Sequence, residues 1–169
     1  NLDEALDLID KTKPTILPGV PTLFNALLNH PKIASHDLSS LKFCLSGGAP
    51  LPIEVKQRFE AATGCKVVEG YGLSETSPVA TANKFSAGDF TGTIGLPLPS
   101  TEIAIRDDDG NNVPLGEVGE ICIRGPQVMA GYWNRPDETA KVMTKDGFFK
   151  SGDMGFMDER GYTKIVDRK

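Results

Sequence analysis

"EGYGLSETSP", Glu69 to Pro78, is the stretch on which the reading of this chain turns. Two glycines bracket Tyr71, a hydroxyl stands beside a carboxylate at Ser74 and Glu75, and Pro78 closes the run. Such a stretch is either an ordinary corner between a strand and a loop or part of a nucleotide site. In the second reading Gly70 and Gly72 let a ligand approach the backbone, Tyr71 offers a ring for an adenine to stack on, and Glu75 offers a hard oxygen to magnesium. The flanking sequence has to decide.

Upstream, helical and short apolar patterns alternate. Leu2, Leu6 and Ile9 fall on one helical face, and "PTILPGVP" reads as a buried strand entering a turn rich in Pro and Gly. A second helix carries Leu23 and Leu27 up to Pro31. "LKFCLS" is a buried strand, and Leu51, Val55, Phe59 and Ala62 mark a helical face opened by Pro52 and closed by Gly64. "CKVVEGYG" supplies the next strand. Strands alternating with helices favour a parallel sheet, whose ligands bind beyond the carboxyl ends of the strands. "SGGAP" and "GYGLSE" both lie at such ends.

Downstream the helical period fades. "TEIAIRD" alternates Ile103 and Ile105 against polar neighbours, "DDGN" is a turn, and "GEICIRG" alternates again through Ile121 and Ile123. "PDETAKVM" reads as a short helix and "DERGYTKIVDRK" as a hairpin broken at Arg160 and Gly161. The fold class is therefore α/β: a partial, parallel-type sheet with helices, followed by a small antiparallel, β-barrel-like subdomain. The change of style between Lys84 and Thr93 places the α/β portion over residues 1–88 and the β-rich portion over 89–169.

Composition removes several function classes. The chain has 169 residues, 39% of them hydrophobic, which is enough to bury a core. A net charge of -5 with scattered lysines and arginines gives no field for nucleic acid. No apolar run approaches the roughly 20 residues of a membrane span, and no signal-peptide pattern opens the chain, so a cytoplasmic location is expected. Cys44, Cys65 and Cys122 are widely spaced among aliphatic neighbours and read as packing residues rather than a disulfide or zinc framework. His30 and His36 have no partner motif for nucleophilic or metal work.

Two familiar phosphate-binding signatures, G-x-x-x-x-G-K-[ST] and G-x-G-x-x-G, are absent. "SGGAP", Ser46 to Pro50, is either a plain turn after a strand or a surface on which a flat ligand lies against the backbone. Asp153 in "KSGDMG" is either a turn residue or a carboxylate that accepts hydrogen bonds from two ribose hydroxyls. Arg168 in "IVDRK" is either a surface charge or a cation beside a phosphate or ribose.

The order of the motifs discriminates. "SGGAPL", "EGYGLSE", "IGLPLPSTE", "GEICIRGPQVMAGYWNRPDET", "FFKSGD" and "GYTKIVDRK" follow one another, and in that order the chain closely resembles the adenylate-forming superfamily of acyl-CoA synthetases, firefly luciferase and peptide-synthetase adenylation domains. The resemblance covers essentially every residue. Within the superfamily it looks most like bacterial long-chain fatty-acid CoA ligases, through "IGLPLPSTE", "GPQVMAGYWNRPDET" and Leu73, where peptide-synthetase domains usually carry Pro.

The resemblance implies two steps. A fatty-acid carboxylate attacks the α-phosphate of ATP to give an acyl-adenylate and pyrophosphate, and the thiol of coenzyme A then displaces AMP. Gly47, Gly48, Ala49 and Pro50 match the loop flanking adenine and the acyl carboxylate. Glu69, Gly70, Tyr71 and Gly72 match the adenine-contacting strand end, with Leu73 continuing the run. Ser74 stands where the family usually has Thr and keeps the hydroxyl that contacts phosphate. Glu75 matches the magnesium ligand, Asp153 the ribose-binding aspartate and Arg168 the arginine near ribose and phosphate; Ser74 and Glu75 are the catalytic candidates.

The same resemblance places the family's phosphate loop upstream of this chain and the small domain with the adenylation lysine just after Lys169. The chain is thus expected to be a fragment ending before the interdomain hinge, inactive alone. Two alternatives remain: a ligase for a medium-chain or aryl carboxylate, and a non-catalytic nucleotide-binding module on the same fold. Peripheral contact of the parent enzyme with a membrane also stays open.

Overall fold

The structure, a computed structural model, describes residues 1–84 and 90–169. The 88/89 boundary read from the sequence lies outside the described residues. Chain contacts define two compact units, one of residues 1–69 and 84–90, the other of 70–83 and 91–169.

In the first unit, α1 (Leu2–Thr12) starts where Asn1 accepts a hydrogen bond from the Asp3 N–H. Asp3 and Glu4 sit in its first turn and Lys11 in its last, the charge order that suits the helix dipole. β1 (Ile16–Gly19) leads into α2 (Pro21–Leu28), whose first position is a proline with no amide to leave unsatisfied. β2 (Phe43–Ser46) follows, then α3 (Ile53–Thr63), entered at Pro52 and ended by Gly64 at φ +71°. β3 (Lys66–Gly72) completes a parallel set in the order β1, β2, β3, with Leu17 beside Cys44 and Cys44 beside Val67.

The core of this unit gathers Leu6, Ile9, Phe24, Leu27, Leu41, Cys44, Phe59 and Val67. Phe24 and Phe59 meet edge to face with centroids 5.2 Å apart. Cys44 and Cys65 are buried within it, their sulfurs 3.4 Å apart, and burial pushes both thiols up in pKa. Their packing role agrees with the sequence. One polar pair lies in this interior: Lys56 Nζ donates to the Val67 carbonyl at 2.8 Å, while Glu60 Oε1 accepts from the Val67 N–H at 2.9 Å. Lys56 also bonds Glu60, so both charges are paired and both hydrogen-bonding groups of Val67 are satisfied by one helix.

In the second unit, the end of β3 runs antiparallel to β4 (Val79–Ala82), which pairs with β5 (Leu96–Pro97). The sequence reading assigns no strand to Val79–Ala82, whose "VATA" lacks the continuous apolar run that marks β1 and β2. β6 (Glu102–Arg106), β7 (Gly119–Arg124), β8 (Phe149–Met157) and β9 (Thr163–Arg168) form an antiparallel sheet in that order, with α4 (Pro136–Val142) between β7 and β8. Among the described residues this sheet is open, not closed into a barrel. Ala80, Ile94, Ile105, Ile121 and Ile123 make its core.

Strand β7 departs from simple alternation in two ways. It is buried from Gly119 to Ile123, so the polar side of its alternation is covered rather than solvated. Its pairing with β8 is also irregular: Glu120 pairs with Met154 and Cys122 with Lys150, so Ile121 alone faces Ser151, Gly152 and Asp153. β8 bulges there, with Gly152 at φ +78°.

Gly72 is required by the chain itself. A Cβ at this position would lie 1.7 Å from the Pro78 carbonyl oxygen. Because backbone cannot yield as a side chain does, Gly72→Ala is expected to cost more than the roughly 1–3 kcal/mol of ordinary overpacking. At Gly64 an added Cβ meets nothing within 4 Å, and Gly64→Ala should cost only the left-handed backbone strain, about 1–2 kcal/mol. Denaturant unfolding of both variants checks this; equal losses would contradict the close approach.

Candidate functional site

In the first unit, the Gly47–Pro50 loop leaves β2 after Ser46, and its Gly47 N–H is held by the Gly19 carbonyl at 3.0 Å. Gly48 takes φ +77°, which favours glycine there, and Gly48, Ala49 and Pro50 are exposed. Glu69, at the end of the parallel part of β3, accepts from the Leu51 N–H at 3.4 Å. Burial, only partly offset by that bond, pushes its carboxyl up to about 7. The end of the loop, just before α3, and the end of the parallel strand are thereby joined through one carboxylate.

In the second unit, three of the sequence candidates come together. The Tyr71 hydroxyl donates to Asp153 Oδ2 at 2.6 Å, and Asp153 stands across the β8–β9 ladder from Arg168, whose Nε lies 3.8 Å from Oδ1. Asp153 is mostly buried and Arg168 mostly exposed, so the tyrosine contact is much the stronger of the two. Burial, with the Asp153 hydrogen bond second, raises the Tyr71 pKa and keeps the phenol a donor. A carboxylate has about four acceptor positions, so Asp153 can still accept from further hydroxyls.

Leu73, Ser74 and Glu75 lead into a short 3₁₀ turn, Ser74–Thr76, after which the Ser77–Pro78 bond is cis. Buried Thr76 organises this turn: its hydroxyl bonds the Leu73 carbonyl at 3.1 Å and receives the Leu73 N–H at 2.9 Å. Ser74 is left exposed, its hydroxyl free to meet a ligand. The Glu75 carbonyl accepts from the Met129 N–H at 2.8 Å, and its Oε1 accepts from the Tyr132 hydroxyl at 2.7 Å, which raises the Tyr132 pKa. Among the described residues no cluster of three or more His, Cys, Asp or Glu side chains could hold a metal alone. The second carboxylate oxygen of Glu75 is a hard acceptor of the kind magnesium takes.

Sequence reasoning misses two members of this neighbourhood. Tyr132 is 57 residues from Glu75 and no spacing links them. Glu120 falls between the apolar positions of an alternating strand, where nothing in the sequence marks it as buried, yet it is 6% exposed. Both line a pocket of about 340 Å³ with Leu73, Glu75, Ser151 and Arg168.

The fold agrees with known relatives. The chain belongs to the AMP-binding enzyme family, whose model matches residues 1–133. It is 55% identical over 167 residues to a long-chain-fatty-acid–CoA ligase of Bacillus subtilis (strain 168), covering 98% of this chain and 30% of that protein. A long-chain-fatty-acid–CoA ligase of Yersinia pestis is 50% identical over 92% of this chain and 27% of its own length. A feruloyl-CoA synthase of Amycolatopsis sp is 40% identical, over 97% of this chain and 33% of its own.

Among solved structures, the anthranilate CoA ligase AuaEII in complex with anthranoyl-AMP superposes with a TM-score of 0.87 at 30% identity, covering 98% of this chain and 32% of that one. ATP-bound MatB from Rhodopseudomonas palustris gives 0.83 at 35% identity, over 99% and 33%. The chain thus spans about a third of the length of the relatives it matches.

Glu69 carries a pH signature. Its carboxyl rises from 4.5 to about 7 in the folded protein. Within that window the unfolded chain gives up this proton while the folded chain keeps it, so the Glu69 contribution makes stability fall as pH rises from about 4.5 to about 7. Glu69→Gln is expected to flatten that part of the stability profile. Unfolding midpoints across the window test it, and an unchanged slope would place the Glu69 pKa near its ordinary value.

Proposed function

We propose that this chain is the nucleotide-facing part of an AMP-forming acyl-CoA synthetase that activates long-chain fatty acids. The carboxylate oxygen attacks the α-phosphorus of ATP, the bond to the β-phosphate breaks and pyrophosphate leaves. The sulfur of coenzyme A then attacks the acyl carbon, the mixed anhydride opens and AMP leaves. The observation that carries this reading is the grouping of Tyr71, Asp153 and Arg168 in a chain of this family. The preference for fatty acids rests on the 55% identity to the Bacillus subtilis ligase.

In this reading Asp153 accepts hydrogen bonds from the ribose hydroxyls, steadied by Tyr71. Arg168 stands by ribose and phosphate with its charge in solvent. Ser74 contacts phosphate, and Glu75, oriented by Tyr132, would supply one oxygen to magnesium, whose chemistry when bound would be to offset phosphate charge. Gly70, Tyr71, Gly72 and Leu73 border the adenine. Gly47, Gly48, Ala49, Pro50 and Glu69 keep the adenine and carboxylate roles that the resemblance assigns.

The 40% identity to a feruloyl-CoA synthase supports a second reading, an aryl carboxylate in place of a fatty acid. Carboxylate-dependent exchange of pyrophosphate into ATP by the full-length protein separates the two. Long-chain acids should support exchange far better than ferulate-like acids. Exchange with neither would leave the fold as a non-catalytic binding module.

The roles of Glu75 and Asp153 have distinct signatures in the full-length protein. Glu75→Gln keeps the shape and removes the charge, and should slow adenylation on the order of a hundredfold while a preformed acyl-adenylate is still thioesterified well. Equal loss in both half-reactions would exclude the magnesium role.

For Asp153, a hydrogen bond to a charged group is worth roughly 1.5 to 3 kcal/mol, so loss of one ribose hydroxyl should lower kcat/KM about ten- to a hundredfold. Asp153→Ala should lose at least that much with ATP and nearly abolish the preference for ATP over 2′-deoxy-ATP and 3′-deoxy-ATP. A variant that keeps the wild-type preference would mark Asp153 as a turn residue.

A further inference from the structure

Glu120 is a buried carboxylate for which the adenylation reading supplies no role. It sits on β7 beside the β8 bulge, where Gly152 has turned out of the regular ladder. The groups that turning frees are taken up locally. The Gly152 N–H donates to Glu120 Oε1 at 3.1 Å, the Gly152 carbonyl accepts from the Lys169 N–H at 2.7 Å, and the Asp153 N–H donates to Ser151 Oγ at 3.0 Å. Glu120 Oε2 faces Lys169 Nζ at 3.4 Å and Lys150 Nζ at 3.9 Å.

One carboxylate therefore binds the bulge through its backbone and also contacts Lys169, which binds the other side of Gly152 and whose ammonium has Asp108 as its nearer partner. A carboxyl group buried only for packing would be a poor choice, since its desolvation is offset only by aligned partners. A bulge beside a site re-aims a side chain, and here the residue re-aimed is Asp153.

We propose that Glu120 is a positioning residue: it fixes the Ser151–Gly152–Asp153 bulge and so holds the Asp153 carboxylate between Tyr71 and Arg168. Its consequence for ATP use rests on the reading of Asp153 as the ribose ligand. Its hold on the bulge does not.

The test uses the full-length protein with Glu120→Ala and Glu120→Gln, each alone and combined with Asp153→Ala. Hydrogen–deuterium exchange of the Ser151–Asp153 segment should quicken in Glu120→Ala and stay near wild type in Glu120→Gln, which retains an acceptor for the Gly152 N–H. In Glu120→Ala, kcat/KM for ATP should fall by up to about a hundredfold, and its ratio to the value for 3′-deoxy-ATP should move towards that of Asp153→Ala. Because Glu120 acts through Asp153, adding Glu120→Ala to Asp153→Ala should lower ATP use by no more than about twofold.

Unchanged exchange at Ser151–Asp153 in Glu120→Ala overturns the proposal, and so do fully additive losses, which mean general destabilisation. If Asp153→Ala keeps the wild-type preference for ATP, the ribose reading is what fails. Exchange at Gly152 then decides the Glu120 assignment by itself, quickening upholding it and protection refuting it.

Discussion

The hydrogen bond from the Tyr71 hydroxyl to Asp153 joins residues 82 apart in sequence, and the site in the second unit is organised around it. It ties the end of β3, and with it the 3₁₀ turn that carries exposed Ser74 and half-buried Glu75, to the bulged middle of β8. Burial alone would make the Asp153 carboxylate costly; a short bond from a phenol that stays protonated offsets that cost and fixes one of its oxygens. Everything near it is then held in relation to that oxygen: Arg168 across the ladder, Ser151 and Gly152 before it in the bulge, and Glu120 beneath them.

What could be read from the sequence was what depends on near neighbours. Helix α3 announces itself through Pro52, an apolar face and Gly64, and the structure opens and ends it at those residues. The parallel strands β1 to β3, the β6 and β7 strands and the closing hairpin follow from apolar runs bounded by turn residues. Motif order located the family and most of the candidate site residues. None of this needed a contact between distant parts of the chain.

What could not be read depends on such contacts. Nothing in "GEICIRG" marks Glu120 as buried, because alternation assumes one solvated face, whereas β7 is covered on both. Tyr132 has no sequence relation to Glu75, and the bulge that aims Asp153 is a property of pairing between strands rather than of either strand. Gly72 gives the opposite lesson. Its lack of a side chain reads as room for a ligand, yet the chain's own Pro78 carbonyl already requires it, so "GYG" carries a folding constraint whatever it binds. The small antiparallel subdomain is present as the strand patterns imply, and its openness among the described residues is something strand alternation says nothing about.

The Lys56–Glu60 pair on α3 has a consequence for how the protein behaves among other proteins. A strand with an unpaired row of amides and carbonyls is a template onto which another chain can add itself, the start of domain swapping and aggregation. At Val67 both groups are already taken, by side chains that bring opposite charges to the strand's open flank. An incoming strand would have to displace a buried ion pair before making its first bond there. At Val67, then, the backbone offers no free donor and acceptor from which a wrong association could start, and the residue's apolar side chain is itself buried.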